Sequence, residues 1–539
     1  MSAQQGVPAD AQIARAAELY RWAAQVISLY DLVVVTIMSA SNDFSIHIDT
    51  LLAITKPSIL KQGSHTLFNG VNIDFFLTQA NNLYIALDGT KYNSKDGSLG
   101  FSGNEDSVFG LGGTYDGHKR LEEAYERGAT CFIVDKANYE INIVAFPEAW
   151  ILVVNDSLDA LAKLAQYRIK NTKTKVVGIT GSTGKTSTTY AIASCLRSKF
   201  NVRQFYRTRT SFLGLAIDVL TKTSQSDDFL VVEMQMDGLE QIARFCTVTP
   251  PDLAIITSVN NSHVERIGSV DSILKAKLEI YNGLRDNGRL VLNADNSILH
   301  KWMTTQTDHR LFTYGLSPAF DVHASHISLS KSSAKVNFDL SYRNETLSTS
   351  LTLLGAHAVY TGLAAASVCL LNGLSLLETC DALRAIKSVP GRLQCFRGQN
   401  NCFVLDDAYN ANLFSMLAAI DCLLSLPATK RVAFIGSMLE LAEFSERDHH
   451  ILGAKLAESV DKLITVGEAA YYAADEAREK GLPGNCIFCA DSVEKAISLI
   501  PSLALDGDTA VLVKGSGAMR MDRITPHLLA SVIGESFLI

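Results

Sequence analysis

The chain has 539 residues, too many for one hydrophobic core, and its length predicts about three domains. Apolar residues make up 47% of the chain and charged residues 19%, which is typical of a folded, soluble protein and excludes intrinsic disorder. The net charge of −8, with no run of Lys or Arg, argues against a nucleic-acid partner.

The cysteines and the N-terminus bear on where the protein works. The ten cysteines lack the spacing of a disulfide framework or a zinc site, so we expect free thiols in a reducing cytoplasm. The N-terminus has neither the basic region nor the cleavage site of a signal peptide. The apolar run from Trp22 to Ala40 carries Asp31 at its centre, which would cost about 2.5–3.5 kcal/mol in a bilayer. We therefore expect no membrane span.

The first part of the chain, residues 1–170, predicts an α/β domain. The segment 82–89 is typical of a strand that ends in a turn. Residues 91–113 are rich in Gly and Ser, which predicts an inserted loop. A helix predicted from Ser157 to Ile169 closes the domain and leads into the next one.

A strand, a loop with two glycines and a helix follow one another from Lys175. The β-branched run before Gly181 predicts a buried parallel strand, and helix-forming residues follow the loop as far as Leu196. Backbone N–H groups and the positive end of the helix dipole would converge on one point, where Lys185 adds a charge and Thr186 a hydroxyl for Mg²⁺. The pattern favours a triphosphate site. A chance turn remains the alternative on this motif alone, because the loop lacks the first glycine of the general Walker A motif.

The second region predicts a doubly wound sheet. Residues 229–233, 253–257 and 289–293 are near-continuous apolar runs, as parallel strands covered on both faces require. Ligands of such sheets bind at the carboxyl ends of the strands, which is where Glu233 lies. Short alternating segments at 310–353 predict an antiparallel addition to this sheet.

A third α/β unit is predicted after the Pro390-Gly-Arg392 hinge. The predicted domains are residues 1–170, 171–392 and 393–539. The predicted fold is an α/β protein of three domains, with a central doubly wound parallel sheet that carries the phosphate loop. An N-terminal α/β substrate domain and a C-terminal Rossmann-like α/β domain would flank it.

Three polar residues of the second region are candidates for chemistry. Glu233 ends a strand and His263 follows one, although single residues of these kinds are more often solvated at the surface. Ser269 predicts the N-cap of a helix on which Lys277 falls inside the apolar face, whereas Lys275 points the opposite way. A buried amine has a lowered pKa and is nucleophilic, so it could add CO₂ to form an anionic carbamate. The alternative is a lysine that extends to water.

Nine motifs occur in an order and spacing that resemble those of the Mur ligases. In chain order they are Gly181-Ser-Thr-Gly-Lys-Thr186, Glu233, His263 with Lys277, Leu292-Asn-Ala-Asp295, Gly355-Ala-His357, Pro390-Gly-Arg392, Asp406-Asp-Ala-Tyr-Asn-Ala-Asn412, Met438-Leu-Glu-Leu441 and Lys514-Gly-Ser516. The resemblance runs from about residue 80 to the C-terminus. It removes the chance-turn interpretation of the loop.

The resemblance implies ATP-dependent amide formation, with named residues around the nucleotide. The implied ATP-binding residues are Gly181, Ser182, Thr183, Gly184, Lys185, Thr186, Ser187, Asn293 near adenine, Arg392 near the γ-phosphate and Asp407 near the ribose. Two Mg²⁺ ions are implied, one held by Thr186 and Glu233, the other by His263 and Lys277 as its carbamate. The implied catalytic residues are Lys185, Glu233, His263 and Lys277, and the implied substrate-binding residues are Tyr409, Asn410, Asn412 and Lys514.

The resemblance also implies substrates. The motifs after Asp406 and Lys514 are similar to those of the family member that adds D-alanyl-D-alanine to UDP-N-acetylmuramoyl-tripeptide in peptidoglycan synthesis. The expected partners are therefore a nucleotide-sugar peptide and a dipeptide, bound by a monomer. Two alternatives stay open. One is the same acyl-phosphate chemistry on a different carboxylate, and the other, less favoured, is a nucleotide-binding protein without catalysis.

Four segments depart from the family's pattern. The family's His-Asn-x-x-Asn reads His357-Ala-Val-Tyr-Thr361, so two amides expected near the nucleotide are missing. The substrate loop reads Thr210-Ser-Phe-Leu-Gly214 and lacks its Asn pair. The Ser-Arg that touches the UDP-sugar has no counterpart near Asn72-Ile-Asp74, and Gly-Asp-Met reads Gly436-Ser-Met438. The motifs for phosphate and metal are intact, whereas those for recognition differ.

Overall fold

The computed structural model describes residues 44–89, 116–136, 140–205, 212–236, 238–260, 267–330, 335–355, 357–439 and 441–529. The predictions for the apolar run at 22–40, the insertion at 91–113 and His263 fall outside these ranges. Among the helices within them, none is both long and apolar enough to cross a membrane. The described residues form two compact units.

The first unit contains two sheets and comprises the described parts of residues 1–87, 116–164 and 217–225. Its strands are Ser45–His47 (β1), Ser58–Lys61 (β2), Leu67–Asn69 (β3), Val71–Asn72 (β4), Asn82–Ile85 (β5), Ala129–Asp135 (β6) and Trp150–Val154 (β7), and its helices are Ile48–Thr55 (α1) and Leu121–Glu126 (α2). Strands β1 and β3 pair with each other, and the five-stranded sheet has the order β2-β7-β6-β5-β4. Strands β4 to β7 are parallel and β2 is antiparallel to them.

The second unit begins with a nine-stranded sheet of order β16-β15-β14-β13-β12-β11-β8-β10-β9. Its strands are Lys175–Thr180 (β8), Val202–Phe205 (β9), Phe229–Glu233 (β10), Leu253–Ile256 (β11), Arg289–Asn293 (β12), Leu311–Gly315 (β13), Val322–Ser330 (β14), Lys335–Tyr342 (β15) and Glu345–Leu351 (β16). The helices in this stretch of the chain are Ser157–Lys170 (α3), Lys185–Leu196 (α4), Phe212–Lys222 (α5), Gln241–Val248 (α6), Val270–Asn282 (α7), Ser297–Met303 (α8), Ala358–Leu371 (α9) and Leu376–Arg384 (α10). Helices α3 and α5 have residues in both units.

The core of this sheet explains the composition of helix α9. Helix α9 is apolar on all sides, with Ala364, Ala365 and Ala366 fully buried, and such a helix must be covered all round. It packs against α4 and against strands of the sheet, where small side chains allow a close approach.

The predicted antiparallel addition starts later than expected, because β13 pairs in parallel with β12 and antiparallel pairing begins between β14 and β15.

A six-stranded sheet belongs to the same compact unit and has the order β17-β18-β22-β19-β20-β21. Its strands are Gln394–Arg397 (β17), Phe403–Asp407 (β18), Lys430–Gly436 (β19), Lys462–Val466 (β20), Ile487–Ala490 (β21) and Thr509–Lys514 (β22), with helices Leu413–Ser425 (α11), Ser445–Ser459 (α12), Ala470–Glu479 (α13), Val493–Leu499 (α14) and Thr525–Leu528 (α15). Side chains alternate between two cores, since Leu405 packs into one and Val404 into the other. The α/β fold class is confirmed, whereas the boundaries at 170 and 392 stay predictions.

All ten cysteines lie in the described ranges and are free thiols. Eight of them are buried, Cys486 is half-buried and Cys489 is exposed. Burial raises the pKa of the Cys131 thiol well above its usual value. The prediction of free thiols is therefore confirmed.

Candidate nucleotide site

The phosphate loop joins β8 to α4, as the sequence predicts. Gly184 is the N-cap of α4 with φ +79°, a left-handed conformation that favours glycine. Lys185 is the first residue of the helix, and its Nζ donates to the carbonyl of Gly181 at 2.9 Å. The ammonium is thus folded back over the loop, beside the helix N-terminus where an anion is favoured.

Thr257 and Ser258, which were not among the predicted site residues, stabilise the phosphate loop through hydrogen bonds. Thr257 Oγ1 donates to the carbonyl of Thr183 at 2.6 Å. The carbonyl of Ser258 accepts from the Ser182 N–H at 2.8 Å, and its Oγ accepts from the Thr183 N–H at 3.1 Å. These two amides are therefore engaged within the protein, which leaves the N–H groups at the start of α4 as the donors for phosphate. Thr257 and Ser258 follow the carboxyl end of β11, the neighbour of β8, and that position is the signal that identifies them.

Gly181 has no room for a side chain. Its φ is +151°, and a Cβ would lie 1.9 Å from Thr257 Oγ1. We expect Gly181→Ala to lower stability by about 1–3 kcal/mol and to weaken ADP binding, because the loop must shift to relieve the overlap. Thermal unfolding and ADP calorimetry measure both effects. Gly484→Ala is the matched control, since a Cβ there meets nothing within 4 Å. Unchanged ADP affinity in Gly181→Ala would mean that the loop accommodates the methyl group.

Glu233 and Lys277 are both buried, as the chemistry assigned to them requires. Glu233 ends β10, which lies beside β8, and its side chain is 2% exposed. Its Oε1 accepts from Gln235 at 3.1 Å, whereas Oε2 has no hydrogen-bond partner within the described residues. A buried carboxylate oxygen left unpaired costs free energy, and a cation bound beside it would remove that cost. The Oε2 atom of Glu233 is therefore suited to be a ligand of a divalent metal ion.

The helix that carries Lys277 is built as predicted. Ser269 is the N-cap of α7, and its Oγ accepts from the Ser272 N–H at 3.1 Å. Lys277 lies on the buried face of the helix at 1% exposure, which confirms that it does not extend to water. Burial, and secondarily the charge of Lys185, hold the pKa of the Lys277 amine well below its usual range. The Lys277 amine therefore favours the neutral form.

The predicted metal site lies only partly within the described residues. His263, predicted as a second metal ligand, falls in the undescribed segment 261–266. The described ranges contain no group of three or more His, Cys, Asp and Glu side chains arranged to hold a metal. Glu233, Thr186 and Lys277 are the members of the predicted set that can be placed.

A cavity of about 320 Å³ lies between the phosphate loop and the six-stranded sheet. This volume is at the lower end of the range for small-molecule pockets. The predicted ATP-binding residues that line it are Thr183, Gly184, Ser187, Asn293, Arg392 and Asp407. Lining residues that the sequence analysis did not single out include Tyr314, Leu353, Phe414 and Ala418. The two positions that lack the family's amides, Ala358 and Thr361, line it as well.

The polar side chains of this cavity are held by the protein itself. Asn293 donates to the carbonyl of Thr257 at 3.1 Å and accepts from the Asp295 N–H at 3.2 Å. Arg392 donates from Nη2 to Thr186 Oγ1 at 3.3 Å, and its guanidinium carbon lies 3.9 Å from the centre of the Tyr409 ring. The carboxyl end of β12 and the predicted hinge thus both contribute side chains to the nucleotide site.

The predicted substrate-binding residues cluster at the carboxyl ends of β18 and β22. Lys514 is 1% exposed, and its Nζ contacts Asp407 Oδ2 at 2.5 Å and the carbonyl of Asn410 at 2.9 Å. Burial lowers the pKa of the Lys514 amine, and the charge of Asp407 opposes that shift. Asn412 is the N-cap of α11, and its Oδ1 accepts from the Ser415 N–H at 3.0 Å. Their contact with substrate stays a prediction.

Two segments of the chain match the models of known domain families. Residues 179–369 match the Mur ligase middle domain. Residues 391–517 match the Mur ligase glutamate ligase domain. The first match includes the phosphate loop and the second includes the Asp407–Lys514 cluster.

Curated relatives cover most of the chain. The UDP-N-acetylmuramoyl-tripeptide–D-alanyl-D-alanine ligase of Bacillus subtilis is 29% identical over 423 residues, 78% of this chain and 89% of that protein. The enzyme of the same name from Escherichia coli is also 29% identical over 423 residues, 77% of this chain and 89% of the relative.

Solved structures show the same fold. MurF from Acinetobacter baumannii superposes with a TM-score of 0.76 at 24% identity, covering 90% of this chain and 99% of the other. MurF ligase from Thermotoga maritima in complex with ADP gives a TM-score of 0.70 at 23% identity, covering 85% and 96%.

Proposed function

The chain belongs to the Mur ligase family, and from that membership we propose that it is an ATP-dependent ligase that joins D-alanyl-D-alanine to UDP-N-acetylmuramoyl-tripeptide. Curated relatives that carry this name support the choice of substrates. The observation that carries the proposal is the cavity that places Thr183 and Gly184 of the phosphate loop opposite Arg392 and Asp407. ATP is the proposed nucleotide, and a relative of the same fold is known with ADP.

The reaction brings two anions together. The substrate carboxylate attacks the γ-phosphorus of ATP, which releases ADP and forms an acyl phosphate. The amine of the dipeptide then attacks the acyl carbon, an amide forms, and phosphate leaves with the loss of a proton from the amine. Lys185, the amides at the start of α4 and Arg392 are the groups proposed to balance the negative charge.

Metal ions are part of the proposal. Thr186 and Glu233 would hold one Mg²⁺, and His263 with the Lys277 carbamate would hold a second. The unpaired Oε2 of Glu233 fits this role. When bound, Mg²⁺ offsets the repulsion between the carboxylate and the phosphate oxygens. Lys277 is suited to add CO₂ because its burial favours the neutral amine, which is the nucleophilic form.

A different carboxylate substrate is the second candidate, because the first unit departs from the family. Phe75 and Phe76 follow Asp74 where the family's Ser-Arg is expected. The Phe76 side chain is 64% exposed, and the guanidinium carbon of Arg127 lies 5.3 Å from the centre of its ring. An aromatic surface of this kind would contact a substrate differently from a Ser-Arg pair.

A phosphate-release assay tests the proposal. With ATP present, we expect phosphate release only when an acceptor carboxylate and an amine are both supplied. The acyl phosphate forms only on bound carboxylate, and phosphate leaves it only when the amine attacks. The assay compares UDP-N-acetylmuramoyl-tripeptide with other carboxylates, each with and without D-alanyl-D-alanine. Rapid release with neither substrate would count against a ligase. Release that requires an amine but occurs only with a carboxylate other than UDP-N-acetylmuramoyl-tripeptide would favour the second candidate.

A further inference from the structure

Lys514 is predicted to bind substrate, yet two of the three donors of its ammonium group already contact oxygen atoms of the protein. It lies at the carboxyl end of β22, between β18 and β19, and is 1% exposed. An ammonium group has three donors. One contacts Asp407 Oδ2 at 2.5 Å and another contacts the carbonyl of Asn410 at 2.9 Å. Asp407 is the last residue of β18, and Asn410 lies in the segment that follows this strand.

Asp407 links this amine to the connection between the nine-stranded and six-stranded sheets. Its second oxygen, Oδ1, accepts from the Leu393 N–H at 3.1 Å. Leu393 has φ +51°, a left-handed conformation that is costly for a residue with a side chain. Such a conformation persists only where its surroundings fix it. The hydrogen bond to Asp407 is one of the interactions that do so.

Arg392 precedes Leu393 and reaches the phosphate loop. Its guanidinium carbon lies 3.9 Å from the centre of the Tyr409 ring, and Nη2 donates to Thr186 Oγ1 at 3.3 Å. The Tyr409 N–H donates to the carbonyl of Gly391 at 3.2 Å, which ties the same turn to the end of β18. A continuous series of contacts therefore runs from Lys514, through Asp407 and the turn, to the phosphate loop.

We propose that Lys514 is a positioning residue, which holds Asp407 so that the turn at 391–393 keeps Arg392 over the phosphate loop. This inference rests on the proposed function and deepens it, since Arg392 is the group proposed to face the γ-phosphate. Lys514 acts on the triphosphate through Asp407 and Leu393, and it does not bind the incoming dipeptide.

Lys514→Met tests the inference because methionine keeps the apolar stem and removes the charge. Calorimetry with Mg²⁺ measures the Kd of ADP and of a non-hydrolysable ATP analogue, without peptide substrates. We expect the analogue to bind about 10- to 100-fold more weakly, the range for one hydrogen bond to a charged group, and ADP to bind within about threefold of wild type. The KM of the dipeptide should stay within the same threefold. Lys495→Met, on the exposed side of α14, is the matched control.

A double variant keeps the test decisive if Lys514→Met folds poorly. Removing one partner of a buried ion pair leaves an unpaired charge, whereas replacing both is better tolerated. In Asp407→Asn with Lys514→Met, the Asn oxygen can still accept from the Leu393 N–H. We expect this variant to bind the ATP analogue more tightly than Lys514→Met alone. In an Arg392→Ala background, Lys514→Met should cause no further loss, since both changes remove the same interaction.

Other outcomes overturn the inference. A raised dipeptide KM in Lys514→Met, with unchanged affinity for the ATP analogue, would assign Lys514 a direct substrate contact. Equal and additive losses in the Arg392→Ala background would show that the two residues act independently. A wild-type chain that binds neither nucleotide would overturn the proposed function together with this inference, so the two failures are distinguishable.

Discussion

Lys185→Ala is expected to lower kcat by at least about 10²–10³-fold, the cost of removing one charge-stabilising donor from a transition state. The Lys185 Nζ lies 2.9 Å from the carbonyl of Gly181, at the N-terminus of α4. At this position the ammonium can stay in contact with the phosphoryl group as negative charge develops during transfer. An interaction that strengthens in the transition state affects kcat more than nucleotide binding. Steady-state phosphate release, with ADP calorimetry beside it, separates the two effects.

Lys199→Ala provides the control for that experiment. Lys199 lies shortly after the same helix, and its exposed amine contacts Glu378 at 3.0 Å. A surface ion pair of this kind contributes about 0–1 kcal/mol to stability, so we expect near-normal turnover. If Lys185→Ala retained activity close to that of the control, the phosphate loop would have been misassigned.

Lys277→Ala is expected to lower activity by about 10- to 100-fold or more, the range for losing a group that supports a metal site. Acetate or formate should restore part of the activity, because the space left by the side chain can take a small carboxylate. Lys277→Arg should stay inactive, since guanidinium is bulky and cationic and cannot add CO₂. Lys275→Ala, on the exposed face of the same helix, is the matched control. Turnover across an acetate series measures the rescue.

Nuclear magnetic resonance of the protein incubated with ¹³C-labelled bicarbonate tests for the carbamate independently of activity. Wild-type protein should show a carbamate resonance that is absent from Lys277→Ala and present in Lys275→Ala. An active Lys277→Arg variant, or a spectrum without that resonance, would contradict the carbamate. A lysine that acts as a plain cation predicts a tolerated arginine and no rescue by acetate.

The buried amine of Lys277 also fixes how stability depends on pH. In the unfolded chain its pKa is about 10.4, and burial holds the folded-state pKa well below that value. Between the two values the unfolded state binds a proton that the folded state lacks, so this residue makes stability rise with pH. In CO₂-free buffer, Lys277→Met should therefore have a higher Tm than wild type at neutral pH. The difference should shrink as pH approaches 10.4, and a constant difference would contradict the shift.

Local pattern predicted the elements that carry the site. The apolar run Arg289–Asn293 has the predicted bounds, and Ser269 caps the helix that buries Lys277, as its side-chain periodicity indicates. Both follow from short-range physics, namely strand burial and helix capping. The carboxyl-end rule likewise placed Glu233 beside the phosphate loop.

Contacts between distant segments were not predictable in this way. The Asp407–Lys514 pair joins residues 107 positions apart, and Ser258 supports Thr183 from 75 positions away. A lysine after a strand looks the same in sequence whether its amine faces a ligand or a buried carboxylate. The left-handed conformation of Leu393 carries no sequence signal, since it is imposed by the contacts around it. The parallel pairing of β13 depends in the same way on its neighbour β12.

Burial separates eight of the ten cysteines chemically from the exposed Cys489. The thiolate is the form that reacts with alkylating agents and oxidants, and a buried thiol is both inaccessible and hard to ionise. Cys489 can be modified in the folded protein, whereas eight thiols react only when the fold opens around them. The stability of the fold therefore protects the eight buried thiols from oxidants. Any change that loosens either compact unit exposes protected thiols to oxidation.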